Sequence, residues 1–296
     1  MSANIKRLKA RIKSVDSTLH LTKAMQLVAA GKIRKATEQL SNSRRYCDAM
    51  RSVVNSLAAS RECADSPYVR GHENAGKTVL IVIAGDRGLA GGYNANAFRL
   101  ADSVGADEII PIGRRSIDRV ANRFPEMQSP SGAFPTEAFK TTDSKAVAEK
   151  LCERYLSGEI GRIMIVSTTY VSIMTQTAVL STLLPLKDCV LPESVKAKSA
   201  AKAVPEQSEP HAEPVMEFEP DPTSVLNIAV PEYLSSIIFG LVRESFASEI
   251  AARRVAMDSA TKNGIVMKDN LSLQYNRARQ SAITQEIVEI VAGAGR

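Results

Sequence analysis

Seam positions recur three and four residues apart along the first forty residues, at Ile5, Leu8, Ile12, Val15, Leu19, Thr22, Gln26, Ala29, Ile33, Ala36 and Leu40. This is a heptad pattern, and it predicts a coiled-coil helix. The seam is imperfect. Thr22 and Gln26 are polar, which fixes register at some cost in stability, while Ala29 and Ala36 are small enough for two helices to approach closely. No proline precedes Pro67. The same periodicity closes the chain, where Ile283, Ile287 and Ile290 make one stripe that Val288 and Val291 widen. No proline follows Pro231, so a helix from Pro231 to Ala292 is open to the chain. About 60 residues at 1.5 Å each would run roughly 90 Å, against about 30 Å for a small domain. Such a helix is expected to project, with its apolar tip covered by something outside the chain. Asn263-Gly264, a turn dipeptide, argues for a break within it.

Between these helices the pattern alternates strand with helix. Candidate strands are Thr78–Ala84, Glu108–Gly113, Arg162–Thr169 and Thr177–Leu184; candidate helices are Asn94–Val104, Arg115–Arg123 and Asp143–Leu156. Alternation of this kind predicts βαβ units and a largely parallel sheet. Residues 192–222 hold six of the thirteen prolines, with Lys, Ala, Glu and Ser between them, which reads as a flexible connector. The expected fold is therefore α/β: a long antiparallel two-helix coiled coil from the N- and C-terminal helices, plus a central Rossmann-like α/β domain. The expected divisions are 1–60, 76–190, a Pro-rich insert at 191–224, and 225–296.

Composition narrows this picture. The chain has 296 residues, 44% of them hydrophobic, with 5% aromatics and no Trp, which suits a helix-rich protein. No unbroken run of eighteen apolar residues occurs, so no membrane insertion is expected. The basic, amphipathic start is similar to a transit peptide, but its apolar pattern continues far beyond one. Cys47, Cys63, Cys152 and Cys189 show no CxxC pair and no metal spacing with His20, His72 or His211, so reduced thiols are expected. Charge is uneven: residues 1–60 carry twelve Lys and Arg against Asp16, Glu38 and Asp48, whereas residues 231–296 are nearly balanced. A basic first helix points to an acidic or polyanionic partner.

Two stretches offer nucleotide chemistry. Gly71–Thr78 matches GxxxxGK[ST] letter for letter, but a phosphate loop needs a strand before it and a helix after it. Here the strand-like Val79–Ile83 follows, so the match is read as accidental. Gly85-Asp-Arg-Gly-Leu-Ala-Gly-Gly-Tyr-Asn94 leads from strand to helix, but its spacing is GxxGxxGG rather than GxGxxG. A tight turn served by glycine explains it as well. No catalytic, cofactor-binding or metal-ligating set is expected.

Short motifs along the whole length resemble the gamma subunit of rotary F-type ATP synthases. They are Ile12-Lys-Ser-Val15; Thr22-Lys-Ala-Met-Gln-Leu-Val-Ala-Ala30 with Lys32; Asp86-Arg-Gly-Leu with Gly91-Gly92 and Asn94; and Glu219-Pro-Asp-Pro222. Near the end come Ala251-Ala-Arg253, Val255-Ala-Met-Asp258, Ala260-Thr261, Asn263, and Tyr275-Asn-Arg-Ala-Arg-Gln280 with Ile283-Thr-Gln-Glu286. Gly31, Ala90 and Arg254 depart from the usual Ser, Cys and Met, and the Pro-rich insert carries no cysteine pair, unlike the thiol-switched chloroplast type. The resemblance implies a non-catalytic rotor, with catalysis on partner beta subunits and no cofactor. Its coiled coil would turn inside a ring of alpha and beta subunits, and its α/β domain would meet epsilon and the membrane c-ring at the cytoplasmic face of a bacterial plasma membrane. It implies shaft contacts at Met25, Arg253, Gln280, Thr284 and Glu286, and a foot at Phe218 and Glu219. Two other classes stay open. A nucleotide-dependent enzyme would bind nucleotide as the purified chain, and a basic nucleic-acid binder would show steeply salt-dependent affinity.

Overall fold

The computed structural model describes residues 2–72, 76–129, 133–189 and 218–294. Two compact units emerge, Lys32–Ala252 and, separately, Met1–Gly31 with Arg253–Arg296. Helices α1 (Ser2–Ala59) and α6 (Pro222–Ala294) contribute residues to both.

The larger unit is built on a four-stranded sheet of β1 (Lys77–Ile83), β2 (Glu108–Ile112), β3 (Ile160–Tyr170) and β4 (Gln176–Leu184), in spatial order β2-β1-β3-β4. β1 pairs in parallel with β2 and β3, and β4 joins β3 antiparallel at the edge. Parallel neighbours need helical crossovers. These are α3 (Tyr93–Asp102), between β1 and β2, then α4 (Arg114–Arg123) and α5 (Thr141–Leu156), between β2 and β3; a short α2 (Pro67–Arg70) precedes β1. All four expected strands and three expected helices are present, with ends within two residues of those read from the pattern.

Side chains alternate across a strand, and β1 uses both faces. Val79, Ile81 and Ile83 join the main core with Val54 and Leu57 of α1, Leu151 and Tyr155 of α5, and Leu226, Leu234 and Ile238 of α6. Leu80 and Val82 face a second core with Ala97 of α3 and Val120 of α4. Burying each such side chain contributes about 1.5–3 kcal/mol, so the sheet and the two helical layers stabilise one another. Gly113, after β2, sits at φ 98°, and a Cβ there would lie 2.0 Å from the Ala84 carbonyl oxygen. Only glycine fits. The four cysteines are unpaired, and burial pushes the Cys47 thiol up to about 11 and that of Cys152 to about 12.

Three features of α6 differ from expectation. It starts at Pro222 rather than Val225, because Asp221 caps it: the Ser224 N–H donates to Asp221 Oδ1 at 2.8 Å, and Pro222 occupies the first turn, where its missing donor is harmless. Residues 191–217 of the expected Pro-rich insert lie outside the described residues. The helix also runs unbroken through Asn263-Gly264. Finally, its most apolar 18-residue window has mean hydropathy 1.7, enough by length and composition for a membrane span, and 56% of that window is buried in the protein. Beyond that window, buried serines and a glutamate of the same helix bond inward. Ser245 Oγ accepts from the Thr168 N–H, Ser248 Oγ donates to the Thr168 carbonyl, and Glu244 accepts from Arg44 and the Tyr170 N–H. That is the pattern of a core helix.

Candidate functional site

In the smaller unit α1 and α6 pair with one another. Asp16 meets Lys268 at 2.6 Å, a Cβ on Gly264 would come within 2.6 Å of Leu19, the hydroxyls of Thr22 and Thr261 lie 2.9 Å apart, and the Gln26 amide donates to Asp258 at 3.0 Å. As the number on α1 rises, that on α6 falls, so the helices are antiparallel. Every heptad position from Ile5 to Ala29 is buried or half-buried, while most flanking positions are exposed. The polar seam residues Thr22 and Gln26 are therefore matched by polar partners, which sets the register. Gly264 keeps the helix continuous because its role is close approach: the missing side chain leaves room for Leu19. The Lys268 ammonium, by hydrogen bond and then by charge, holds the Asp16 carboxyl below the usual range. Lys262 does the same for Asp258, with help from the Gln26 amide.

This pair leaves much apolar surface open. Leu21, Leu27 and Val28 on α1 are exposed, as are Ile265, Val266, Met267 and Leu273 on α6. Toward the end of α6, Ile283, Ile287, Val288, Ile290 and Val291 are exposed on one broad stripe. Extending the pairing, α1 runs out near the level of Gln280, and the helix beyond has no partner helix among the described residues. A contiguous apolar surface of this extent marks an interaction site.

The residues singled out from sequence fall at two levels of this unit and at one place in the other. Met25 and Arg253 are half-buried and, in this register, stand about 9 Å apart along the antiparallel pair at 1.5 Å per residue. Gln280, Thr284 and Glu286 are exposed and stand about 40 Å or more farther along α6, at 1.5 Å per residue. The Thr284 hydroxyl donates to the Gln280 carbonyl at 3.0 Å, so both lie on one face, within the apolar stripe. Glu286 is turned about 120° from Gln280 and about 160° from Thr284, at 100° per residue. In the larger unit Phe218 packs on the main core, and Glu219 is exposed.

The Gly-rich segment after β1 proves to be a structural joint. Asp86 accepts from the backbone N–H of Arg114 and Thr136 through Oδ1 and of Glu137 through Oδ2, at 2.8–3.0 Å. Asn94 Oδ1 accepts from the Gly85 N–H at 2.9 Å. A Cβ on Gly85 would meet the Glu249 carboxyl at 2.6 Å. These groups tie three loops together, and periodicity gave no sign of it. Gly71–Thr78 is no phosphate loop, since Lys77 opens a strand and its ammonium pairs with Glu108 at 3.1 Å.

A family model described as ATP synthase matches residues 4–295. The sodium-ion-specific ATP synthase gamma chain of Acetobacterium woodii is 38% identical over 300 residues, covering 99% of each chain. The chain belongs to the ATP synthase gamma-chain family. The gamma chain of Ruminococcus albus is 37% identical, with 97% of this chain and 96% of that one covered. Among solved structures, the fold is shared with a chain of the Euglena gracilis mitochondrial ATP synthase, OSCP/F1/c-ring, at TM-score 0.62 and 16% identity, covering 99% and 94%. It is also shared with a chain of the Tetrahymena thermophila synthase central stalk and c-ring, at TM-score 0.59 and 20% identity, covering 81% and 99%. Two gamma-chain motifs thus have physical meanings here. Asp86-Arg-Gly-Leu joins loops, and Glu219-Pro-Asp-Pro222 starts α6.

Proposed function

We propose that this gamma chain is the non-catalytic rotor in the central stalk of an F-type ATP synthase, with catalysis on partner beta subunits. The paired helices of the smaller unit turn inside the ring of alpha and beta subunits. The α/β unit meets epsilon and the c-ring, with Phe218 and Glu219 at its foot, on the cytoplasmic face of a bacterial plasma membrane. The observation that carries this reading is the uncovered apolar surface of the smaller unit, above all the stripe from Ile283 to Val291. Such a surface fits an apolar sleeve, along which a shaft can slide without breaking directional bonds. Coupling needs more, because a rotor that contacts every state equally shifts none of them. Polar groups supply the angular preference. Gln280 and Thr284 interrupt the stripe, Glu286 lies off it, and Met25 and Arg253 add a second level farther from the end of α6.

The test is the double variant Arg253→Ala, Gln280→Ala in the assembled complex, measured by ATP hydrolysis and ATP-driven ion pumping. Alanine favours helix at both sites, so the shaft persists. Hydrogen bonds to charged groups contribute about 1.5–3 kcal/mol, and about 1.4 kcal/mol is a decade in rate. Loss of contacts made only at some angles should therefore change turnover about tenfold or more. An assembled double variant that hydrolyses and pumps like the parent would remove these residues from the grip.

A further inference from the structure

The sheet of the larger unit is open at one place. β1 and β3 pair in parallel only as far as Val82 and Val166, while β3 runs on to Tyr170. In open parallel sheets, ligands bind in the crevice outside the carboxyl ends of the strands, where the strand order reverses. Here that crevice is filled by α6. Ser245 Oγ accepts from the Thr168 N–H at 3.0 Å, Ser248 Oγ donates to the Thr168 carbonyl at 3.1 Å, and Glu244 accepts from the Tyr170 N–H at 3.0 Å. These three side chains supply bonds to β3 that a neighbouring strand would otherwise make. On the β1 side, a Cβ on Gly85 would meet the Glu249 carboxyl at 2.6 Å, and the Tyr93 hydroxyl donates to the Ser245 carbonyl at 3.0 Å. Glu244, Ser245, Ser248 and Glu249 are at most 2% exposed.

Buried polar side chains on a core helix are costly unless they are needed. At 100° per residue the four, in the order Glu244, Ser248, Ser245, Glu249, span about 140° of the helix circumference. Contacts spread over such an arc resist turning in either sense. The apolar residues of the same helix hold it differently, because apolar burial has no direction, whereas a hydrogen bond weakens steeply as its angle closes. Apolar packing fixes where α6 lies, and the bonds to β3 fix its angle about its own axis.

We propose that Glu244, Ser245 and Ser248 are positioning residues that lock α6 against turning within the α/β unit, so that rotation of this unit passes into the shaft. The inference rests on the rotor reading and names the joint through which such a rotor would carry torque.

The test is single-molecule rotation of the assembled complex, with the alpha and beta ring fixed to a surface and a bead on the α/β unit. The angular variance of the bead during a pause measures how stiffly that unit is held to the shaft. Ser245→Ala with Ser248→Ala should widen the variance by about twofold or more, since two of the three directional bonds to β3 are gone. Leu234→Ala, which removes apolar packing from the same helix and keeps the bonds, should leave it at the parent value. A merely structural role for the serines would lower stability in both variants and separate neither by stiffness. If the double variant does not assemble, Ser248→Ala alone, which frees only the Thr168 carbonyl, should widen the variance by a smaller factor. The proposal falls if the serine variant that assembles is as stiff as the parent, or if Leu234→Ala widens the variance equally. A parent complex that does not rotate would overturn the rotor reading itself, whereas a rotating parent with an equally stiff serine variant would overturn only the joint.

Discussion

The two units use the same helix, α6, under opposite conditions. In the larger unit Leu234, Ile237, Ile238, Leu241 and Val242 are at most 1% exposed, sealed against the sheet, α1 and α5. In the smaller unit Ile283, Ile287, Val288, Ile290 and Val291 are 43–69% exposed. The residue types barely differ, so composition cannot distinguish folding surface from binding surface. What differs is whether the chain supplies a cover. The larger unit does so with a sheet and helices of its own, and its apolar residues hold the fold. The smaller unit offers one helix against another, which covers a seam and leaves the outer faces for partners.

This contrast is sharpest for paired substitutions. Leu234→Ala should destabilise the isolated chain by about 2–5 kcal/mol, the loss expected for a buried leucine and the cavity left behind. Ile287→Ala should change it by no more than about 0.5 kcal/mol, yet weaken assembly with partner subunits. Denaturant unfolding of the free chain measures the first effect, and co-purification of partner subunits with a tagged chain measures the second. Equal stability losses for the two would erase the distinction between the units. A smaller loss is expected from Glu244→Leu, which strands the Tyr170 N–H inside the larger unit, while the Arg44 guanidinium keeps access to water. Unpaired buried polar groups cost about 1–3 kcal/mol, so its unfolding midpoint should fall by less than that of Leu234→Ala. A midpoint at the parent value would show that water reaches the Tyr170 N–H as well.

Much of this was legible in the chain. Periodicity located the heptad seam, and β-branched runs located the strands, because burial repeats with the geometry of each element. Local signals were less well read. Asp221-Pro222 is a helix start by its chemistry, but it closes a Pro-rich run whose composition is that of a connector. Asn263-Gly264 is a turn by propensity, and tertiary contact with Leu19 overrides it. The partners of Asp16, Thr22 and Gln26 could not be read at all, since each lies more than two hundred residues away and needs the antiparallel register first. Nor does any local pattern show that Asp86 would gather three backbone N–H groups, or that Gln280 and Glu286 would lie on different sides of α6.

The smallest expected effect separates the units by their ion pairs. Asp16 and Lys268 are each about two-fifths exposed, whereas Glu108, in the larger unit, is nearly buried beside Arg154 at 2.8 Å and Lys77 at 3.1 Å. Burial pushes the Glu108 carboxyl up, but the hydrogen bonds from Arg154 and Lys77 outweigh it and the net shift is down. Asp16 is shifted down as well, by the hydrogen bond and charge of Lys268. A carboxylate with a depressed folded pKa contributes stability that is fully present above its unfolded value and is lost as pH falls through its folded value. Through these two carboxylates both units should therefore loosen in acid, below the ordinary carboxylate range, and not near neutrality. Salt tells them apart, because it screens exposed charges within about a Debye length and buried pairs much less. In NMR titrations of the two carboxyl carbons, added salt should raise the Asp16 midpoint toward its ordinary value, as Lys268→Ala should, while the Glu108 midpoint moves little. Equal salt shifts at the two carboxyls would mean that the helix pair of the smaller unit shelters its ion pairs as well as the α/β unit does, and the contrast drawn from apolar exposure would not extend to charge.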